Sequence, residues 1–501
     1  MNRPKIARER TLSELANYLG IRGFTDVDGK LTGVCSDSRL IESGDLFIAL
    51  PGERSHGSAF LPTALERGAR AILTDQQGDE VASRLAPVIP RLVVSKPRSI
   101  CGLVAGWFYG EPSKSLFVAG VTGTNGKTTT THLLEQIWSF ADYRSGLIGT
   151  VGIQVGERRI PATHTTPESD ELQRLLALMK EDGARGVAME VSSHALVQER
   201  VKSIHFQAVG FTNLTQDHLD YHGNMENYFQ AKRSLFSHDY ADLGIVSIDG
   251  DYGKRLWNEI SIPKQSISTT GKADWYFESL ERTSNGFDLL LRGPEGISIE
   301  NEFNLIGQHN LENLLVAVAI AFRSGIDPLV IAAAMPHLIG APGRLESVVA
   351  PKSQSTEFKV LVDYAHTPDA VERVLAAVRA QGVGRIIAVL GCGGNRDSAK
   401  RPKMGAALHN GADLPIFTSD NPRDEEPQKI IDEMLAGIEL KEGAEVIPDR
   451  RSAIKRAIQL AQKGDAILVL GKGHETGQEI KGLKTPFSDV EELKQALQER
   501  S

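Results

Sequence analysis

The chain has 501 residues, 41% of them hydrophobic and 24% charged, with a formal net charge of −8 at pH 7. That length exceeds a single core and, at about 150 residues per domain, predicts roughly three domains. The acidic balance excludes an extended nucleic-acid surface, although a local cluster of Arg and Lys can still hold an acidic ligand.

The opening Met1-Asn2-Arg3-Pro4-Lys5 leads into a polar stretch without an apolar core, so no secretory leader is expected. Residues 1–97 hold short apolar runs, Leu46 to Leu50, Ala71 to Leu73 and Leu92 to Val94, among glycine-rich turns, which predicts a small α/β domain. Residues 98–343 form the second predicted domain. The apolar run Leu116 to Ala119 reads as a strand, and Leu133, Leu134, Ile137 and Trp138 recur at helical spacing. Strand-like runs follow at Gly186 to Val191, Ala208 to Leu214 and Leu243 to Ile248. Trp275 to Ile306 alternates apolar and polar residues, predicting a few antiparallel strands, and Leu311 to Phe322 reads as helix. Gly340-Ala341-Pro342-Gly343 is a linker signal. In residues 344–501 four buried-strand runs, Lys359 to Val362, Ile386 to Leu390, Pro415 to Thr418 and Ala466 to Leu470, alternate with helical patterns such as Ala370 to Ala380 and Ile430 to Leu435. That alternation predicts a doubly wound parallel sheet. The longest apolar run, Leu314 to Phe322, is too short for a membrane span, and Cys35, Cys101 and Cys392 form neither a disulfide framework nor a zinc pattern. The expectation is a cytoplasmic monomer with small-molecule substrates, no nucleic acid and no membrane.

Between the strand and the helix lies Val121-Thr122-Gly123-Thr124-Asn125-Gly126-Lys127-Thr128-Thr129. Backbone N–H groups of such a turn, and the dipole of the helix it opens, favour a phosphate. Lys127 would reach the terminal phosphates and the Thr128 hydroxyl would ligate Mg²⁺. The first glycine sits at 120, not at 121 as in the common loop. Glu190 ends a strand beside this loop, where a carboxylate suits the nucleotide's Mg²⁺. Asp217, His218, Asp220 and His222 crowd one later loop, a mixture that suits metal or phosphate work. Lys232 reads by default as a surface lysine. Arg344, just past the linker, is placed to reach back to a transferring phosphoryl group.

In the last region, polar sequences follow all four strands: Asp363 to His366, Gly391 to Asp397, Asp420-Asn421-Pro422-Arg423, and Gly471 to Glu475. A parallel sheet brings its carboxyl ends to one edge, so these segments should converge on one cleft.

Thr122 to Thr129 resembles the loop form shared by Mur ligases and folylpolyglutamate synthetases. Glu190, His218, Asn310, Arg344 and Asp363 follow in the family's order, and the resemblance runs nearly full length. It implies a uridine-nucleotide domain, a central P-loop ATPase domain and a Rossmann-like C-terminal domain. It implies ATP binding by Gly123, Thr124, Asn125, Gly126, Lys127, Thr128, Thr129, Asn310, Arg344 and His366. The catalytic set it implies is Lys127, Glu190, His218, Lys232, Arg344 and Asp363. Two Mg²⁺ ions would be held by Thr128, Glu190, His218 and Lys232, the last carrying a carbamate.

Ser36 and Ser38, within Ser36-Asp37-Ser38-Arg39, resemble the uridine-nucleotide-binding start of the ligases acting on muramoyl peptides. Thr165, Thr166, Ser192, Gln198 and Arg200 are similar to the muramoyl-dipeptide segments of the branch that adds the third residue. Asp420, Asn421, Pro422 and Arg423, with Arg396, Gly471 and Glu475, resemble its diaminopimelate-selecting form. Meso-diaminopimelate differs from lysine by one carboxylate, which a guanidinium grips through paired charge-assisted bonds. Lysine would leave that arginine unpaired. The implied activity is ATP-driven amide formation through an acyl phosphate on UDP-N-acetylmuramoyl-L-alanyl-D-glutamate. A folylpolyglutamate synthetase, a D-alanyl-D-alanine-adding ligase and an ATP-hydrolysing P-loop regulator are the alternatives. The Ser36–Arg39 start and the Asp420–Arg423 motif argue against the first, the second would not need an arginine for a second carboxylate, and the third leaves the polar cleft of the last region unexplained.

Overall fold

The computed structural model describes residues 3–5, 9–21, 30–52, 55–283, 286–349 and 357–500. In the first domain four short strands, β1 (Val34–Cys35), β2 (Leu46–Ile48), β3 (Ala71–Thr74) and β4 (Arg91–Val93), pair in parallel in that order. Helix α1 (Pro97–Tyr109) closes one face, burying Cys101, Val104, Ala105, Trp107 and Phe108 against Leu46, Ile48, Leu73 and Leu92.

The central domain is one sheet of eleven strands. Its first half contains β5 (Phe117–Thr122), helix α2 (Lys127–Phe140), β6 (Ser145–Gly149), a hairpin β7 (Gly152–Val155) and β8 (Arg158–Ile160), helix α3 (Ser169–Glu181), β9 (Gly186–Glu190) and β10 (Ala208–Phe211). Helix α4 (Met225–Arg233), β11 (Gly244–Ser247), β12 (Lys264–Ser268), β13 (Trp275–Arg282), β14 (Phe287–Arg292), β15 (Ser298–Phe303) and helix α5 (Gln308–Arg323) complete it. The order is β8-β7-β6-β9-β5-β10-β11-β12-β13-β14-β15, parallel from β6 to β13 and antiparallel at both ends. β5 lies between β9 and β10, so the strands that carry the phosphate loop and Glu190 are immediate neighbours, with Glu190 paired to Val121. Both faces are covered, by α2 and α5 on one side and α3 on the other, which is why β5 and β9 read as continuous apolar runs. The alternating segment after Trp275 forms antiparallel strands as expected, and it joins this same sheet through the parallel β12–β13 pair.

The third domain is a second sheet: β16 (Glu346–Ser347), β17 (Lys359–Asp363), helix α6 (Pro368–Arg379), β18 (Ile386–Cys392), helix α7 (Arg401–Gly411), β19 (Leu414–Ser419), β20 (Glu445–Val446) and β21 (Ala466–Leu470). The order β16-β17-β21-β18-β19-β20 is parallel apart from the first pair. The core splits between the two faces, one lined by α6 and α7 and the other by Ala453, Ile454, Leu493 and Leu497. A hairpin, β22 (Gly477–Ile480) and β23 (Leu483–Pro486), follows. No helix among the described residues is long and apolar enough to cross a membrane.

Candidate active site

Strand β5 stops at Thr122, and the chain turns through Gly126, whose φ of +91° is left-handed. A Cβ there would meet the side-chain oxygen of Asn313 on α5, so glycine is required twice over. Helix α2 then starts at Lys127, leaving its first N–H groups directed at the turn. Thr124 Oγ1 lies 3.2 Å from Tyr228 Oη, and the Asn125 N–H donates to Asn213 Oδ1 at 3.0 Å. The Thr129 side chain is buried in α2.

Two lysines converge on the turn. Lys127 Nζ donates to the carbonyls of Gly123 (2.9 Å) and Thr124 (2.8 Å), and Lys232 Nζ donates to Gly123 O at 2.8 Å. Lys232 is not a surface residue: it is 1% exposed and lies 4.7 Å over the Tyr228 ring. Burial, then the charge of Lys127, pushes its ammonium well below the usual lysine range. That shift favours the uncharged, nucleophilic form of the amine.

Glu190 is buried at the end of β9. Its carboxylate accepts the Thr150 N–H (2.7 Å) and hydroxyl (3.1 Å), and among the described residues it forms no ion pair. Thr150 also touches Thr165 Oγ1 at 3.0 Å. Gly149 is needed here, because a Cβ would strike the Glu190 carboxylate.

His218 has a left-handed φ of +54° and stands 3.3 Å from Asp217 Oδ2. Burial pushes its imidazole down to about 3. Asp217 itself is 4% exposed and binds the third domain: Lys400 Nζ lies at 3.3 Å and His366 Nε2 at 3.7 Å. Burial opposes its ionisation, but the His366 contact and the Lys400 charge outweigh this and hold the carboxyl well below the usual range. Asn125 Nδ2 reaches Asp369 Oδ2 on α6 at 3.3 Å, a second link across the same seam.

A third link is Arg344. One guanidinium nitrogen donates to Thr128 Oγ1 at 3.2 Å, and the group lies 4.5 Å over the Tyr364 ring. Asp363 holds it there indirectly, accepting the N–H of Leu345 and of Ala365, both at 2.7 Å. Leu345 needs that hold because its φ is +46°. Asn310 anchors the start of α5 by donating to Ile306 O (2.8 Å) and accepting from Asn313 (3.2 Å). Asn125, Thr128, Asn310, Arg344, Asp363 and Arg373 line a small cavity of about 60 Å³ on this seam. A larger one, about 620 Å³, opens beside Asn213, His309, Glu312 and Arg373. Among the described residues no three His, Cys, Asp or Glu side chains form a ready metal site, so Thr128, Glu190, His218 and Lys232 are near the loop without being a closed cage.

The third-domain segments converge at the carboxyl edge as expected. Lys472, fully buried, bridges Asp420 (3.3 Å), Asn421 (3.0 Å) and Glu475 (3.1 Å), and Asn421 Nδ2 donates to Glu475 at 2.8 Å. One oxygen of Glu475 is thereby committed, leaving the other for a ligand. The Gly471 N–H donates to Asp363 O at 3.0 Å, joining this cluster to the Arg344 turn. Arg423 has φ +52°, donates to Gly394 O at 2.7 Å and lies 3.5 Å from Glu479. Its side chain is 22% exposed, with both contacts in place before any amino acid binds. Pro422 is buried, and Arg396 is exposed on the neighbouring loop after β18.

The first-domain residues are joined to the centre through α3. The Ser36 N–H and hydroxyl both donate to Asp170 (2.8 and 2.7 Å), so its donors serve the domain contact, and Ser38 is buried in the adjoining turn. Thr166 Oγ1 donates to Glu190 O (2.8 Å) and accepts the Ser192 N–H (3.1 Å). Arg200 donates to Thr166 O (2.9 Å) and Gln198 (2.7 Å) and pairs with Glu168 (3.1 Å). The Ser192 hydroxyl caps a short helix.

Thr150, Lys400, Lys472 and His474 were not singled out from sequence. Lys472 and His474 lie inside a flagged polar segment, whereas Thr150 and Lys400 carry no local signal.

Residues 121–321 match the Mur ligase middle domain, 343–473 the Mur ligase, glutamate ligase domain, and 30–105 the Mur ligase family catalytic domain. A UDP-N-acetylmuramoyl-L-alanyl-D-glutamate–2,6-diaminopimelate ligase of Streptomyces coelicolor is 43% identical, covering 99% of this chain and 98% of its own. One of the same name from Aquifex aeolicus is 44% identical over 93% and 94%. A solved structure titled as this same ligase superposes with TM-score 0.66 at 32% identity, covering 98% and 99%. A MurF ligase from Thermotoga maritima in complex with ADP shares the fold, with TM-score 0.66 at 17% identity over 94% and 98% of the two chains.

Proposed function

The chain belongs to the Mur ligase family, and we infer that it is an ATP-dependent ligase of peptidoglycan precursor synthesis. It joins meso-diaminopimelate to the glutamyl side carboxylate of UDP-N-acetylmuramoyl-L-alanyl-D-glutamate, with ADP and phosphate released. The observation that carries this reading is that two chemically different half-sites meet at one seam. A phosphate turn with two lysines lies on the central side, and a cluster suited to a zwitterionic diacid lies on the other.

The central half activates the carboxylate. The turn's N–H groups and Lys127 bind the polyphosphate, which requires the lysine to leave the Gly123 and Thr124 carbonyls it now satisfies. The substrate carboxylate attacks the γ-phosphorus, giving ADP and an acyl phosphate. Arg344, steered by Asp363 through Leu345, offsets charge on the transferring group, the kind of electrostatic positioning on which phosphoryl transfer mostly depends. Mg²⁺ bound here would polarise the phosphoryl oxygens and neutralise their charge. The residues fit that ion: Glu190 is a buried carboxylate with no cationic partner, Thr128 offers a hydroxyl at the helix start, and His218 holds a neutral imidazole. A carbamate on Lys232 would add a second anionic ligand beside Glu190, and burial that lowers the lysine pKa supports it. The third-domain half delivers the amine, with Glu475 suited to its ammonium and Arg423 and Arg396 to the distal carboxylate. A cytoplasmic, monomeric enzyme belongs to the same proposal.

The test is to supply ATP, Mg²⁺, diaminopimelate and the nucleotide dipeptide labelled with ¹⁸O in its glutamyl carboxylate. The reading requires a diaminopimelate adduct by mass spectrometry and labelled oxygen in the released phosphate. Unlabelled phosphate, or ADP without an adduct, refutes it.

A further inference from the structure

An incoming amine arrives protonated and must lose that proton before its lone pair can attack. The machinery above offers cations, metal ligands and Glu475, one oxygen of which is already shared by Lys472 and Asn421. We propose that His474 is the catalytic base that takes the proton from the attacking amine of diaminopimelate. This rests on the amide-ligase reading.

His474 follows β21 directly and precedes Glu475, so it sits where the amino-acid cluster meets the phosphoryl-transfer centre. The charges facing it are Arg344, Glu475 and Glu190, one from each part of the reaction. Its ring leans on Tyr364 at 5.4 Å between centroids, and Tyr364 in turn carries the Arg344 guanidinium on its face. Gly343 approaches so closely that a Cβ there would overlap the His474 main chain, which fixes the residue against the linker. Of the other histidines near the seam, His218 and His366 both turn Nε2 to Asp217, His366 Nδ1 lies 2.8 Å from Tyr364 O, and His309 lies on the nucleotide side beside Arg373.

His474 differs. Its Nδ1 is buried and has no hydrogen-bond partner among the described residues. The tautomer with its proton on Nε2 leaves the Nδ1 lone pair available. Burial, then Arg344, holds the imidazole below its usual range, so it is neutral and able to accept at pH 7.

The step balances as follows. The ammonium gives one proton to Nδ1, and its freed pair forms the C–N bond at the acyl carbon. The tetrahedral adduct collapses, the C–O bond to phosphate breaks, and the nitrogen's surplus proton leaves with the phosphate.

The experiment compares the native enzyme with His474→Gln and His474→Asn, using diaminopimelate and then hydroxylamine as acceptor. Hydroxylamine is largely unprotonated near neutral pH and needs no base, so it traps the acyl phosphate as hydroxamate. The proposal expects kcat with diaminopimelate to fall about a hundredfold or more, with hydroxamate formation and the KM for ATP within about threefold of native. It also expects the acid limb of the kcat–pH profile to disappear. Equal losses with both acceptors, or native kcat with diaminopimelate in either variant, overturn it. A native enzyme that forms no hydroxamate would instead defeat the amide-ligase reading itself.

Discussion

Replacing Lys400 by Met removes the ammonium that lies 3.3 Å from the buried Asp217 carboxylate and ties the third domain to the central one. Stripping one partner from a buried pair costs roughly 3–5 kcal/mol. Here the rings of His218 at 3.3 Å and His366 at 3.7 Å remain as polar neighbours of the carboxylate, so about 2 kcal/mol of docking is a reasonable expectation. Since ATP and the amine are held from opposite sides of this seam, the loss should appear in kcat/KM for both, about 30-fold at 1.36 kcal/mol per decade. Asp217→Asn should cost a similar amount, and the double variant should lose little beyond either single one, a coupling of about 1.5–2 kcal/mol. The assay is steady-state phosphate release for all four members of the cycle. Strictly additive losses would refute the reasoning, because the two groups would then not be acting on each other.

Burial raises the Glu312 carboxyl, bonded to Ser247, to about 7 from an ordinary 4.5. Its folded pKa is raised, so its favourable contribution is complete below about 4.5 and is lost as pH rises through 7. Thermal unfolding should therefore show Glu312→Gln gaining on the native protein by up to about 3 kcal/mol between those limits, and a pH-independent difference would contradict this. Lys232→Arg keeps a long basic side chain but cannot carry a carbamate, so activity should fall at least about a hundredfold and metal affinity with it, read by Mn²⁺ titration. Arg423→Ala should reduce kcat/KM for diaminopimelate about 10- to 100-fold, as expected for a charged hydrogen bond, with KM for ATP unchanged. Glu479→Gln, which removes the resident competitor for Arg423, should lower KM for diaminopimelate in the same assay.

Much of this was legible from residues 116–138 and from the four polar segments of the last region. Strand, turn and helix signals there are local, and a parallel sheet by its geometry gathers loops at one edge. The phosphate turn and the Arg423–Glu475 cleft therefore emerged together. What stayed hidden was long-range. Lys232 reads as exposed because its helix has a polar face, and only its packing on Tyr228 and Gly123 buries it. Lys400 and Thr150 lie in unremarkable stretches and matter because of partners 183 and 40 residues away. The hairpin β7–β8 likewise gave no alternation long enough to notice, yet the β6–β7 turn carries the residue that aims Glu190. Arg423 lies at the carboxyl edge its motif suggested, but its existing bond to Gly394 and proximity to Glu479 depend on neighbours no motif specifies.

The account turns on which amine the third domain delivers, and initial rates of phosphate release decide it most directly. With ATP, Mg²⁺ and UDP-N-acetylmuramoyl-L-alanyl-D-glutamate present, diaminopimelate should drive release while lysine and D-alanyl-D-alanine leave it near background. Equal rates with lysine, or release that needs no acceptor at all, would contradict it.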